Sequence, residues 1–266
     1  GKSLEVYLKT MPQNQENLLA SWLHLASVSP APSIALQAGN KILRDKLNSR
    51  VKDFDPQISY VALSDGEMDI VGTGNLARLI LASADIDKSN YPFDRLTAAL
   101  TFIKNEDGSF QAGIDDEKAI PKGDIRIPLI LRTYYALYKG GNLSMLGAFK
   151  KSFSYYFPGS FGGLNEAEQR LTWGRLLLEI GPDYSEFPAY EGYLRGILDW
   201  FFQRIMMPGQ GEKMLLGSFR WEGLSGNVAS SIDLYELLAQ GYRYFKTTAK
   251  EGAPGPWSLR IFFATR

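Results

Sequence analysis

The sequence predicts an all-α protein built from antiparallel helical hairpins, with minor β-structure. Apolar residues recur at three- and four-residue intervals through most of the 266 positions, which is the periodicity of a buried helix face. Alternation with a period of two is scarce, and its best examples are residues 58–63 and 258–265. A Gly-Ser-Phe turn recurs between helical segments, as in a helical-hairpin repeat. We therefore expect a single domain over residues 1–266, with the repeat clearest over residues 60–245.

The apolar stripes define the expected helices in chain order. The first stripe covers residues 18–26 and ends before Pro30 and Pro32, which break the helical pattern. Clusters of Gly, Pro, Asp and Asn, which favour turns, separate the segments that follow. These further helices are expected at residues 34–47, from 76 onward, and at 96–103, 129–138, 143–156, 165–180, 188–206 and 227–246.

The Gly-Ser-Phe turn occurs three times, and a weaker relative precedes it. The three copies lie at residues 108–110, 159–161 and 217–219, and the related run LSDGEM lies at residues 63–68. From Gly66 onward, successive turn glycines are 42, 51 and 58 residues apart. Glycine can adopt the positive φ that ends a helix sharply, and the following ring can then fold back into the core. We expect the three turn rings to be at least half buried: Phe110, Phe161 and Phe219.

One of these turns, with its flanking helices, resembles a hairpin of the α/α-toroid superfamily. The run LTAALTFIKNEDGSFQAG at residues 96–113 is followed by IPLILRTYYALYKGG at residues 127–141. In the superfamily that it resembles, an outer helix ends in an Asp-Gly-Ser-aromatic turn before the chain enters an inner helix. The resemblance implies an α/α-toroid or an incomplete (α/α)6 barrel.

The composition sets aside several families of this superfamily. The chain has no cysteine and a single histidine, His24. Protein prenyltransferases and lanthionine cyclases need a zinc held by Cys and His, thioester domains need a Cys-Gln thioester, and epimerases of this fold use paired histidines. Terpene cyclases carry an Asp-rich motif that GIDDEK at residues 113–118 does not reproduce. The chain is therefore closest in character to the carbohydrate-active enzymes, which implies a glycoside hydrolase or a polysaccharide lyase acting on a bacterial or environmental polysaccharide.

The resemblance implies a cleft at the start of the inner helices, in the loops that follow the turns. We expect the loops at residues 111–126, 163–170 and 220–227 to open on one face. A hydrolase needs two carboxylates there, one of them protonated. The candidate catalytic carboxylates are Asp124, Glu222, Glu166 and Asp69. The candidate substrate-binding residues are Trp221, Arg126, Arg220, Asp116, Tyr134 and Tyr190.

The candidate residues have different expected roles, and three of them also have a structural alternative. Trp221 would stack on a sugar ring, and an Arg would neutralise a uronate while a Tyr acts as the base of a lyase. Asp124 could instead be a turn residue, Glu222 could pair with Arg220 or cap a helix, and Glu166 could favour a helix N-terminus.

Charge and composition limit the classes of partner that the chain is expected to bind. Lys plus Arg and Asp plus Glu both number 29, so the net charge is zero and no basic nucleic-acid footprint is present. No apolar run approaches the roughly 20 residues of a transmembrane helix, and no cofactor or metal motif is found. A polysaccharide or oligosaccharide is the expected partner, with an envelope protein as a further candidate. A periplasmic or extracellular location is favoured over the cytoplasm, because the abrupt start at Gly1 is compatible with a removed export signal.

A non-catalytic binding scaffold is the alternative to an enzyme. Stacked helical hairpins often form binding surfaces, so the same face could bind a glycan or a protein partner without chemistry. Two carboxylates, or a Tyr and an Arg, converging on one pocket would favour the enzyme.

Overall fold

The structure, a computed structural model, describes residues 34–83, 87–158, 166–181, 184, 186–206, 233, 234, 236–241, 243 and 244. The chain divides into two compact units, Gly1–Gly159 and Ser160–Arg266, called here the N-terminal and C-terminal units. Most of the described residues are helical, and the sheet among them has two strands. The predicted all-α class is therefore confirmed, whereas the single domain over residues 1–266 stays a prediction.

The helices and strands follow the predicted order closely. In the N-terminal unit they are α1 (Ile34–Asn48), β1 (Val51–Asp53), β2 (Ser59–Val61), α2 (Ile70–Ala82), α3 (Phe93–Phe102), α4 (Arg126–Lys139) and α5 (Ser144–Tyr156). In the C-terminal unit they are α6 (Glu166–Ile180) and α7 (Glu191–Met206), and the described residues from 233 to 244 are also helical. Single 3-10 turns lie at Lys88–Asn90 and Phe187–Ala189. None of the described helices is both long enough and apolar enough to span a membrane.

A short antiparallel hairpin joins α1 to α2. Its strands pair Val51 with Val61 and Asp53 with Ser59. Every residue of β2 is buried, which agrees with the strand expected at residues 58–63. The partner strand β1 was not expected, because its sequence Val-Lys-Asp is short and largely polar and its extended form depends on pairing with β2.

The Asp-Gly-Ser-Phe turn after α3 is closed by local hydrogen bonds. The amide of Asn105 donates to the Ser109 carbonyl (2.8 Å), and the Gly108 amide donates to the Asn105 carbonyl (3.1 Å). The Asp107 carboxylate accepts from the Ser109 amide at 2.8 Å. Gly108 has φ +98°, and a Cβ there would lie 2.9 Å from the Lys151 carbonyl oxygen, so this position requires glycine.

The weaker motif at residues 63–68 folds into the same turn. The Leu63 amide donates to the Glu67 carbonyl (2.8 Å), and the Gly66 amide donates to the Leu63 carbonyl (3.1 Å). Gly66 has φ +95°, close to the value at Gly108, which lies 42 residues further along the chain. The two segments thus share one backbone conformation, and the recurrence of this turn in the sequence is a structural repeat.

The ring of Phe110 fastens the second turn to the helices that follow it. Phe110 has no exposed surface, so its predicted burial is confirmed. Its ring stacks on Tyr156 at a centroid distance of 5.4 Å and meets Tyr134 edge-on, also at 5.4 Å. These contacts join the turn to α4 and α5. The other two turn rings, Phe161 and Phe219, lie outside the described residues.

Helix α2 begins at Ile70, six residues before the start expected from the apolar stripe. Asp69 caps it by accepting a hydrogen bond from the Gly72 amide at 2.7 Å. A Cβ on Gly74 would lie 2.6 Å from Oγ1 of Thr133, so glycine allows α2 and α4 to approach closely. The sequence Gly-Thr-Gly looks like a turn, but capping and helix packing keep it helical.

Substitution of Phe110 by alanine should destabilise the protein strongly. Removing a fully buried Phe side chain typically costs about 3–5 kcal/mol, because the ring contacts are lost and a cavity remains. Phe102→Ala is a matched control, since that ring is 48% exposed and should cost much less. Chemical denaturation would measure the free energy of unfolding of both variants. Equal losses would contradict the conclusion that Phe110 holds the turn against α4 and α5.

Candidate functional site

Asp124 and Arg126 form a two-pronged ion pair where the loop after the second turn meets α4. Nε of Arg126 donates to Oδ1 of Asp124 at 3.0 Å, and Nη2 donates to Oδ2 at 2.8 Å. The backbone amide of Arg126 also donates to Oδ1, at 2.8 Å. The amide of Asp124 donates to the Pro121 carbonyl at 3.0 Å, which places the pair on a tight turn. The two residues are thus locked together by the local chain path.

This pair is partly open to solvent. The side chain of Arg126 is 43% exposed and that of Asp124 is 20% exposed. Burial alone would raise the pKa of Asp124, but the side-chain and backbone hydrogen bonds from Arg126, together with its charge, outweigh it and lower the pKa. The hydrogen bonds that Arg126 donates to the Asp124 carboxylate raise the pKa of Arg126 in turn. The pair is therefore charged on both sides at neutral pH.

Only one edge of the Arg126 guanidinium is engaged by the residues that the structure describes. Nε and Nη2 are held by the carboxylate of Asp124. Among the described residues, none accepts a hydrogen bond from Nη1. A guanidinium that is fixed on one edge and open on the other presents N–H donors in a set direction.

Two other predicted carboxylates lie in the N-terminal unit and have local roles. Asp69 caps α2, and its Oδ2 lies 3.7 Å from Nη2 of Arg50. Asp116 is exposed and accepts a hydrogen bond from the Lys118 amide at 3.0 Å. Their predicted roles at a cleft stay predictions.

Of the two predicted tyrosines, Tyr134 is buried and Tyr190 is partly exposed. Tyr134 has no exposed surface, and its hydroxyl donates to the Leu100 carbonyl within the core. Substrate could reach this hydroxyl only if the packing around it opened. Burial raises the pKa of Tyr134, and burial followed by the charge of Glu186 raises the pKa of Tyr190. Both shifts disfavour the tyrosinate form that a general base requires.

The remaining candidates belong to the C-terminal unit. Glu166 opens α6 and accepts hydrogen bonds from Nε (2.9 Å) and Nη2 (2.6 Å) of Arg170 one turn further on. Three candidates lie outside the described residues: Arg220, Trp221 and Glu222. The expectation that three loops open on one face, with Trp221 on the cleft wall, therefore stays a prediction.

A buried charged cluster in the C-terminal unit was not expected from the sequence. Arg175 of α6 reaches Asp233 (Nη1 to Oδ1, 2.7 Å) and donates from Nη2 to Oε2 of Glu236 at 2.8 Å. Gln240 donates to the other oxygen of Glu236, also at 2.8 Å. The side chains of Arg175 and Glu236 are 5% and 3% exposed. The spacing Asp-x-x-Glu places both carboxylates on one helix face, but their partner lies about 60 residues earlier in the chain.

Comparison of the chain with family models, curated proteins and solved structures finds no match. Functional inference therefore rests on the geometry of the described residues. Among them, no three acidic or histidine side chains are grouped closely enough to hold a metal ion.

The Asp124–Arg126 pair should make stability depend on pH in acid. The folded-state pKa of Asp124 lies below its ordinary value of 3.8, so its ionised form stabilises the fold above that pH. This contribution should disappear as pH falls through the folded-state pKa. Urea denaturation should therefore show a cost of Asp124→Asn that is larger at pH 7 than at pH 2. In an Arg126→Ala background the same substitution should show a weaker pH dependence, and an unchanged one would contradict the pairing.

Neutralising the buried carboxylate of the C-terminal unit should cost more than neutralising an exposed one. Glu236→Gln weakens charged hydrogen bonds that are each worth about 1.5–3 kcal/mol. Glu191→Gln is the control, because its pair with Arg195 is exposed and such helix pairs contribute about 0.3–0.5 kcal/mol. Denaturation midpoints would compare the two variants. A similar small loss in both would show that the buried cluster adds little to stability.

Proposed function

We propose that this chain is a carbohydrate-active protein that binds an oligosaccharide through Asp124 and Arg126. The observation that carries the proposal is a guanidinium clamped by a carboxylate on its Nε–Nη2 edge, whose Nη1 has no hydrogen-bond partner among the described residues. Sugar hydroxyls and uronate carboxylates accept hydrogen bonds from such a guanidinium, and an Arg fork can bind a carboxylate with two parallel bonds. Because the side chain is already fixed, binding loses less conformational entropy than it would with a free arginine.

The charge state of the site favours binding over hydrolysis as its main property. Glycoside hydrolysis needs one carboxylic acid that stays protonated, and the lowered pKa of Asp124 disfavours it for that role. A lyase needs a base beside the Arg, and the raised pKa values of Tyr134 and Tyr190 disfavour both. The non-catalytic glycan-binding scaffold is therefore the form of the proposal that the described residues support best.

An enzymatic form of the proposal rests on Asp124. A carboxylate held ionised by an arginine is competent as the nucleophile of a retaining hydrolase or as the base of an inverting one. In this form Asp124 would supply one half of the catalytic pair, and another carboxylate would supply the proton.

We also propose that the hairpins of the N-terminal unit belong to an α/α-toroid. Two features support this arrangement. The turns at Gly66 and Gly108 share one backbone design and each precedes the second helix of a hairpin, α2 or α4. These two second helices pack directly against each other, as the inner helices of a toroid do.

Binding of oligosaccharides by calorimetry would test the proposed function. We expect the wild-type protein to bind at least one member of a panel of neutral and uronate-containing oligosaccharides. Arg126→Ala should weaken that binding about tenfold or more, which corresponds to about 1.4 kcal/mol. Arg95→Ala is the matched control, because Arg95 is 39% exposed and pairs with Asp53 at 2.8 Å, yet lies on a different helix, α3.

Two outcomes would contradict the proposal. One is the absence of binding to every member of the panel, and the other is equal affinity in wild type and Arg126→Ala. Release of reducing ends or of unsaturated uronates from a bound polysaccharide would separate the enzymatic form from the scaffold form. If activity is found, its loss in Asp124→Asn would assign the carboxylate to the reaction.

A further inference from the structure

The segment that carries Asp124 begins as one strand of a small antiparallel ladder. The Ile120 amide donates to the Phe110 carbonyl at 2.7 Å, and the Ala112 amide donates to the Lys118 carbonyl at 2.8 Å. An isolated bridge pairs Gln111 with Ala119 between them. The chain therefore leaves the Gly-Ser-Phe turn, doubles back on itself, and reaches the Asp124 turn directly from this ladder.

The hydroxyl of Tyr156 is inserted into this ladder. In a regular antiparallel pair, two opposing residues exchange both of their N–H···O bonds. Here Ile120 donates to Phe110, but the Phe110 amide donates to the Tyr156 hydroxyl at 2.8 Å instead of to the Ile120 carbonyl. The same hydroxyl donates to that carbonyl at 3.2 Å. One side-chain oxygen thus replaces a backbone hydrogen bond and spans the gap it leaves.

The rest of Tyr156 is held rigidly. It is the last residue of α5, its side chain is fully buried, and its ring lies parallel to that of Phe110 with an interplanar angle of 9°. The hydroxyl also lies within electrostatic reach of the Asp124 and Asp107 carboxylates, whose charges add to burial in raising its pKa. The position of the hydroxyl is therefore set by the helix and the core and not by the loop.

We propose that Tyr156 is a positioning residue for the Asp124–Arg126 pair. Its hydroxyl fixes the Ile120 carbonyl, Pro121 follows directly, and the Pro121 carbonyl accepts the Asp124 amide at 3.0 Å. Three residues thus separate Ile120, whose carbonyl is fixed, from Asp124, whose carboxylate clamps Arg126. Without the hydroxyl, Phe110 and Ile120 would close into a regular pair, and the turn carrying Asp124 would shift with them.

This inference rests on the proposed glycan site. The position of Asp124 affects binding only if a ligand accepts hydrogen bonds from the guanidinium that Asp124 orients. It does not require Tyr156 to touch the ligand. A purely structural role would change stability alone and leave the surroundings of Asp124 unaltered.

Tyr156→Phe tests the inference, since it keeps the ring and removes the hydroxyl. The first measurement is the titration of the Asp124 carboxyl by NMR. We expect its midpoint to move measurably in Tyr156→Phe, and the amide resonances of Asp124 and Arg126 to shift with it. Tyr155→Phe is the control, because it removes a hydroxyl from the neighbouring residue, whose ring contacts Lys122. It should leave the titration and those resonances unchanged.

The second measurement is the affinity for an oligosaccharide that the wild-type protein binds. We expect Tyr156→Phe to weaken it about five- to tenfold at a temperature where both proteins are fully folded, and Tyr155→Phe to leave it unchanged. An unaltered Asp124 titration together with unaltered affinity overturns the positioning role. If the wild-type protein binds no oligosaccharide, the proposed function fails, and the titration still decides the positioning role by itself.

A stabilised background keeps the test informative if Tyr156→Phe folds poorly. Gly147 lies within α5, and a Cβ added there would meet no atom within 4 Å. Gly147→Ala should therefore raise the helical propensity of α5 without a clash. Both measurements can then compare Gly147→Ala with the Gly147→Ala/Tyr156→Phe double variant.

Discussion

Burial of the Phe110 ring between Tyr134 and Tyr156 is the interaction on which the N-terminal unit depends. The ring comes from the turn after α3, and its two aromatic neighbours come from α4 and α5. The hydroxyl of Tyr134 satisfies the Leu100 carbonyl near the end of α3, and that of Tyr156 satisfies backbone groups of the turn. Aromatic packing and backbone hydrogen bonding are therefore supplied by the same side chains, which link the turn to α3, α4 and α5.

The features that the sequence predicted are those fixed by local chemistry. The apolar stripe at residues 34–47 became α1, and the described turn glycines, Gly66 and Gly108, adopt the positive φ that their position demands. Helix α2 begins earlier than its sequence predicts, because Gly-Thr-Gly has low helical propensity, whereas the Asp69 cap and the close approach of α4 favour the helix. Strand β1 was missed for the same reason, since its conformation depends on a partner strand. Tertiary contacts decided both cases.

The candidate site shows the same division between local and distant partners. Asp124 and Arg126 stand two residues apart, so their pairing could be anticipated from the sequence. Tyr156 lies 46 residues from Phe110, whose amide donates a hydrogen bond to its hydroxyl, and Arg175 lies 61 residues from Glu236. A charged residue that will be buried looks the same in a sequence as one that stays in solvent, because its partner is brought to it only by folding.

The contrast between the two ion clusters explains why the proposed site lies at Asp124 and not at Arg175. Arg175 is enclosed by two carboxylates and is almost without exposed surface, so a ligand would have to displace interactions whose loss leaves buried charge uncompensated. Arg126 is clamped on one edge by Asp124, and its own side chain is 43% exposed. A ligand can add hydrogen bonds there without breaking the pair. The partly exposed Asp124–Arg126 pair is therefore better suited to bind a ligand than the buried Arg175 cluster. The affinity there depends on how firmly the surrounding backbone holds Asp124 in place.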